Sequence, residues 1–189
     1  MRSGTPFVDY TPESCAEIYA IINARQLAAL MFHDQMADYF RFLSLDGFSD
    51  LHEKQCVEEA KERRKLRKCY MERYNKLIED WPVANPKAIP DDWIKYSRMD
   101  VSSQVRTQSI QSAFKKYQEW EEGSLDLYGK CASVLGEMSY MADKHDIDCL
   151  IQDVDKELKK LYEILLTLKS VNYDVPFVIE YQKKMKIGA

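Results

Sequence analysis

Residues 145–170, HDIDCLIQDVDKELKKLYEILLTLKS, decide the fold. Ile147, Ile151, Val154, Leu158, Leu161, Leu165 and Leu168 recur at steps of four and three residues, the period of a helix whose apolar seam packs on other helices. A second stripe, Leu150, Val154, Leu161 and Ile164, runs beside it, and Glu157 interrupts it. Asn172 and Pro176 end the helix, and residues 178–186 are expected to form a short last one.

The same period appears upstream. Thr11, Pro12 and Glu13 make a helix start, and Ile18, Ile22, Ala29, Phe32, Met36, Phe40 and Leu43 predict a first helix that reaches a turn at Asp46-Gly47. Ser49 is expected to cap a second helix running to about Glu79, and so short a link makes the first two helices an antiparallel hairpin. Residues 80–103 change in texture, with Pro82, Pro86 and Pro90 among Trp81, Ile89, Trp93 and Tyr96. This segment reads as a crossover connector clamped to the bundle by its aromatics. Ile110, Phe114, Tyr117, Leu125, Tyr128, Ala132 and Leu135 then carry a third helix from near Ser103 to about Met138, through Gly123, Gly129 and Gly136.

Residues 1–189 therefore read as one all-α domain, with residues 1–10 a flexible N-terminus. Four long helices with short, long and short links give a ferritin-like four-helix bundle with a long connector between helices 2 and 3. The chain is long enough for one core. Its 27 basic and 31 acidic residues give a net charge of −4, which excludes overall electrostatic binding of nucleic acid and leaves only a local basic patch for that role.

Cys15, Cys56, Cys69, Cys131 and Cys149 are odd in number and widely spaced, without a Cys-x-x-Cys pair, so a reducing, cytoplasmic compartment is expected, with no disulfide framework and no zinc site. The longest uncharged apolar run, 27–32, is too short to span a bilayer, and the first nine residues lack the apolar centre of an export signal.

A ferritin-like layout invites a metal test. Di-metal bundles place carboxylate-x-x-His pairs on two of their helices. Here Leu30, Ser49 and Ala142 stand three residues before His33, His52 and His145, so no such pair exists. With a turn near residue 46.5, His33 and His52 lie too far apart to share an ion, and Asp38 comes level with His52 for a structural hydrogen bond. Asp34 and Glu59 fall level, Glu62 lies one turn on, and Glu122 is level with Glu157. A carboxylate-only site from Asp34, Glu59, Glu62, Glu122 and Glu157 is conceivable beside the commoner outcome of solvated or paired acids. No cofactor is called for. With no nucleophile elbow, phosphate loop or metalloprotease helix, the residues predict no enzyme.

The strongest charge feature is 61–68, KERRKLRK. Lys61, Arg63, Arg64, Lys65, Arg67 and Lys68 are candidates for gripping phosphates or an acidic protein. The plainer account is a solvated helix paired with Glu58, Glu59, Glu62 and Glu72. Asp143, Asp146, Asp148, Asp153 and Asp155 suit the positive end of helix 4, or an acidic patch facing a basic partner.

Ala24-Arg25-Gln26-Leu27, the run 33–39 HDQMADY, Leu45-Asp46-Gly47-Phe48, Leu51-His52-Glu53, Ile89-Pro90 with Trp93 and Tyr96, and 171–174 VNYD resemble a family of helical proteins carried by phages and prophages of gut bacteria. That family is similar to one including an anti-CRISPR protein directed at the nuclease Cas9. The resemblance implies an inhibitor that binds Cas9 or its guide-RNA complex without doing chemistry, and it carries no functional residue onto this chain. The alternative is a degenerate ferritin-like structural or carboxylate-only metal-binding protein. Exposed aromatics also allow a homodimer.

Overall fold

In the computed structural model, which describes residues 12–90, 97 and 101–187 with side chains to residue 183, every regular element is a helix. They are α1 Cys15–Phe42, α2 Asp46–Tyr74, α3 Ser103–Glu137, α4 Met141–Ser170 and α5 Val175–Ile187. Ser14, not Thr11, caps α1, its hydroxyl accepting from the Glu17 amide at 3.2 Å; Thr11 and residues 1–10 lie outside the described residues. Ser102 caps α3 through the Val105 amide, and Asn75 ends α2 in the left-handed conformation that asparagine tolerates. All three glycines of α3 lie inside one unbroken helix.

The first turn is Leu43-Ser44-Leu45, with Ser44 at φ 63°, and Asp46-Gly47 already belongs to α2. Gly47 is needed there for a different reason. Helix α5 crosses at that point, the Gln182 side chain accepts from the Gly47 amide at 2.8 Å, and a Cβ on residue 47 would lie 2.4 Å from the Gln182 carbonyl oxygen. Since the obstacle is backbone, Gly47→Ala is expected to lower stability by about 1–3 kcal/mol, measurable by urea unfolding.

Contacts Phe48–Phe114, His52–Tyr117 and Gln55–Tyr117 advance together along α2 and α3, so these helices run parallel. That is why a long connector is required. Its path is pinned: the Ala88 amide donates to Gln35 Oε1 at 2.8 Å, Lys116 Nζ donates to the Lys87 and Ala88 carbonyls, and Trp81 and Ile89 pack on the core. Trp93 and Tyr96 lie outside the described residues. The core between the hairpins is aromatic, with Phe40, Phe48 and Phe114 almost fully buried and Phe32 stacked on Trp120 at 4.6 Å.

The acids of α4 have specific partners. Asp148, Asp153 and Asp155 pair with Lys144, Lys156 and Lys159 along the helix. Asp143 is buried and Asp146 half-buried, both bound by Arg73 of α2. Among the described residues the five cysteines are free, and no helix is long and apolar enough to cross a membrane.

Candidate functional site

Halfway along the bundle, the apolar interior gives way to a polar layer fed by all four long helices. On α2 the spacing of Gln55, Glu59, Glu62 and Leu66 puts all four on the inward side, because steps of four and three hold one helical face. Helix α3 contributes Tyr117, Trp120, Glu121, Ser124 and Tyr128 by the same rule, and α4 contributes Glu157. Helix α1 brings Arg25, Gln26 and His33. The His33–His52 and Tyr19–Tyr70 contacts fix the register of the first hairpin, and interpolation between them sets Gln26 level with Glu59 to Arg63.

The carboxyl groups dominate the electrostatics. Glu121 is 1% exposed. Burial first, then repulsion by Glu157, push its pKa well above the usual range against the pull of Arg25. Burial with Glu62, Glu121 and Glu157 does the same to Glu59. Glu62 is pushed up to about 7 by burial, Asp153 and Glu58, and Glu157 to about 7 by burial, Glu62 and Glu58. Four acids therefore share one interior, and each holds its proton more tightly than an exposed carboxyl group does.

One permanent cation enters this layer. Arg25 lies 3.5 Å over the Trp120 ring, donating to Ser124 Oγ from Nε at 3.1 Å and from Nη2 at 2.9 Å, and from Nη2 to the Trp120 carbonyl at 2.7 Å. The aromatic face and fixed oxygens offset part of the cost of burying it.

The histidines are neutral. Burial, with Arg25 nearby, pushes His33 down to about 3, and burial with His33 lowers His52 as well. Their Nδ1 atoms sit 2.9 Å apart, so one donates and the other accepts, while His33 Nε2 faces Glu121 Oε1 at 3.5 Å. That contact is not an ion pair, because the imidazole carries no charge. Several buried atoms here lack a hydrogen-bond partner: both amide atoms of Gln26, Glu59 Oε2, Glu121 Oε1, Gln55 Oε1 and His52 Nε2.

Several expectations are corrected. His33 and His52 touch, because the first turn is at residues 43–45 and not near 46.5, which brings the two rings level. Asp38 is exposed and gives His52 no hydrogen bond. Asp34 is exposed too, so it does not join Glu59. Glu122 also faces outward, to Gln118 and Tyr162; its neighbour Glu121 takes the interior place. The sequence carried that signal, since Glu121 follows Tyr117 by four residues and precedes Ser124 by three, on the stripe of Phe114 and Tyr128. Glu59, Glu62 and Glu157, of the five carboxylates considered, face the same interior without converging at ligating distance. Arg25, Gln26 and Gln55 were missed.

The basic run separates into faces. Lys61, Arg64, Lys65, Arg67 and Lys68 are exposed, whereas Arg63 is half-buried with its Nε orphaned against the bundle.

No protein-family model matches the chain, and no curated protein sequence is similar to it. Solved structures are similar in fold. A novel open-pore ferritin from the hyperthermophilic archaeon Archaeoglobus fulgidus superposes with a TM-score of 0.74 at 17% identity, over 93% of this chain and 98% of that one. An engineered closed form of the A. fulgidus ferritin gives 0.73 at 17% identity, over 93% and 96%. A PmFTN variant soaked in iron gives 0.70 at 13% identity, over 88% and 95%. The fold is thus the ferritin-like four-helix bundle. The expectation of a protein without enzymatic activity is corrected: the solved structures on which the chain superposes are ferritins, enzymes that oxidise iron, so the absence of familiar catalytic motifs does not exclude chemistry on this fold. Phage origin and Cas9 inhibition gain no support from them.

Proposed function

We propose that this chain is a ferritin-like protein that takes a divalent metal cation into the bundle interior on carboxylate oxygens, with iron(II) as the candidate substrate. The observation that carries the reading is the buried layer of four acids with raised pKa values, in which Glu59 Oε2 and Glu121 Oε1 have no hydrogen-bond partner. A donor set of carboxyl and amide oxygens suits a hard, oxygen-seeking cation, not one that selects thiolates. Glu59, Glu62, Glu121 and Glu157 would hold the ion, with Gln26 and Gln55 beside them.

Among the described residues, no three His, Cys, Asp or Glu side chains converge at ligating distance. Protonated acids have no charge with which to draw together around an ion, so uptake must release their protons. Arg25 supplies positive charge between Glu59 and Glu121 and keeps the layer from being wholly neutral without an ion. A bound cation would supply charge compensation and, for iron(II), an electron to an oxidant.

The test is anaerobic titration of the full chain with iron(II) and with manganese(II) at pH 7.5, read by bound metal per chain and by the protons released. Saturable uptake with proton release is expected, lost in Glu59→Gln and Glu157→Gln. Admitting air to the iron-loaded sample and following ferric absorbance reads oxidation in the same tube. No saturable uptake, or uptake unchanged in both variants, would overturn the reading.

A further inference from the structure

The plain account of the basic run needs four acids to neutralise it, and the structure removes two. Glu59 and Glu62 turn inward to the polar layer, leaving Glu58 and Glu72 on the outside of this segment. Among the described residues only Lys68 of this run forms an ion pair, with Glu72 at 3.6 Å, both ends largely exposed. At about 100° per residue, Lys61, Arg64, Lys65 and Lys68 fall within one outward arc of roughly 100°, opposite Glu59, Glu62 and Leu66. Arg67 flanks that arc.

Their neighbours on the helix sharpen the point. Positions three and four away from Arg64 are Lys61, Arg67, Ala60 and Lys68, so helical ion pairing cannot satisfy it. A protein of net charge −4 thus concentrates four to five cations on about 10 Å of one rigid helix.

We propose that this outward face of α2 binds the phosphate backbone of a double-stranded nucleic acid. Three features select that partner. Within 61–68 the arc has no apolar centre, since Leu66, the one apolar residue there, is buried in the core, and the exposed Val57 and Met71 stand apart from each other, one turn beyond either end, whereas protein interfaces are built on a contiguous desolvated apolar or aromatic anchor. It has no aromatic side chain on which single-stranded bases stack. And its length matches about three phosphate-to-phosphate steps of one strand, about 3.4 Å each along the axis, hence about four phosphates. Contacts of this kind position a protein without reading sequence. This surface does not depend on the interior layer or on a cation held there.

The test uses the full chain and a fluorescein-labelled DNA duplex of arbitrary sequence, read by anisotropy. Four phosphate contacts predict a salt slope of about −3.6, hence on the order of a 100-fold loss of affinity between 50 and 200 mM salt. Lys61→Glu with Arg64→Glu is expected to halve that slope and weaken binding at least 10-fold at 50 mM salt, with the helical circular-dichroism signal unchanged. Lys115→Glu with Lys169→Glu, on α3 and α4, changes the net charge equally and is expected to leave the slope as it is. The proposal fails if the duplex does not bind at low salt, or if both double variants lose equally. Tighter binding of the single strand, or equal binding of polyglutamate, would also defeat it, the last by pointing to an acidic protein.

Discussion

Asp143→Ala is expected to lower the Tm by about 10 °C, the largest effect of any single substitution proposed. Asp143 is 2% exposed at the end of the bundle where α1 begins, α2 finishes and α4 starts. Its Oδ1 accepts from the Tyr19 hydroxyl at 2.8 Å and from Arg73 Nη1, and its Oδ2 accepts from the Tyr74 hydroxyl at 2.7 Å. Arg73 Nη2 also reaches Asp146 at 2.9 Å. One carboxylate therefore ties three helices. Removing it takes the carboxylate acceptor from the Tyr74 hydroxyl and leaves the Tyr19 hydroxyl and the partly buried Arg73 guanidinium with Asp146 alone, a loss of about 3–5 kcal/mol. For a chain of this size each kcal/mol moves the Tm by about 2–4 °C. Asp155→Ala is the control, because its pair with Lys159 is exposed and is expected to contribute less than about 1 kcal/mol. Equal shifts for the two variants, read by thermal denaturation, would show that the network does not hold the helices.

How much of this was legible in the sequence depends on which physical scale decides each feature. The helices were readable because apolar periodicity is local: the α4 seam, the single α3 and the crossover connector all follow from it. Turn positions are set by a few residues. Asp46-Gly47 looked like the first turn, but Gly47 is small because Gln182, 135 residues away, packs against it. That displacement of two to three residues changed which side chains came level. It separated His33 from His52 on paper and sent Asp38 to His52 in its place. The polar layer was half-visible, since Glu59, Glu62 and Glu157 stand on inward faces by spacing alone. Arg25 and Gln26 were not, because a long polar side chain on an apolar stripe more often snorkels outward. What keeps Arg25 inside is Trp120 and Ser124 on another helix. The network around Asp143 was invisible for the same reason: aspartates at a helix start have an ordinary explanation in the dipole, and only tertiary contact distinguishes the one that is buried.

Metal-free protein, kept in chelator, is expected to lose stability as pH rises from about 6 to 8.5, and the interior acids fix the sign. Glu62 and Glu157 titrate near 7 when folded and near 4.5 when unfolded. In that interval the unfolded chain binds fewer protons than the folded one, so the free energy of unfolding falls with pH. Their stabilising contribution is complete below the unfolded value and disappears as pH passes the folded one. Each group forfeits at most ~1.4 kcal/mol over this interval, and solvent screening of half-buried side chains brings the pair to roughly 2 kcal/mol, or about 4–8 °C in Tm. Glu59 and Glu121 are pushed up in the same direction and contribute with the same sign. The histidines act oppositely but in a different interval. His33 and His52 are held neutral in the fold, so they disfavour folding only below about 6.5, where the unfolded rings protonate. Above that pH they are neutral in both states and drop out. Differential scanning calorimetry at half-unit steps separates the contributions: Glu157→Gln should remove about half of the decline above pH 6.5 and raise the Tm at pH 8. Manganese(II) should oppose the decline in the parent protein, because an ion bound to ionised carboxylates replaces the lost protons as the source of charge balance. A Tm that climbs from pH 6.5 to 8.5, or a profile that Glu157→Gln leaves untouched, would mean that these acids are not strained by their burial.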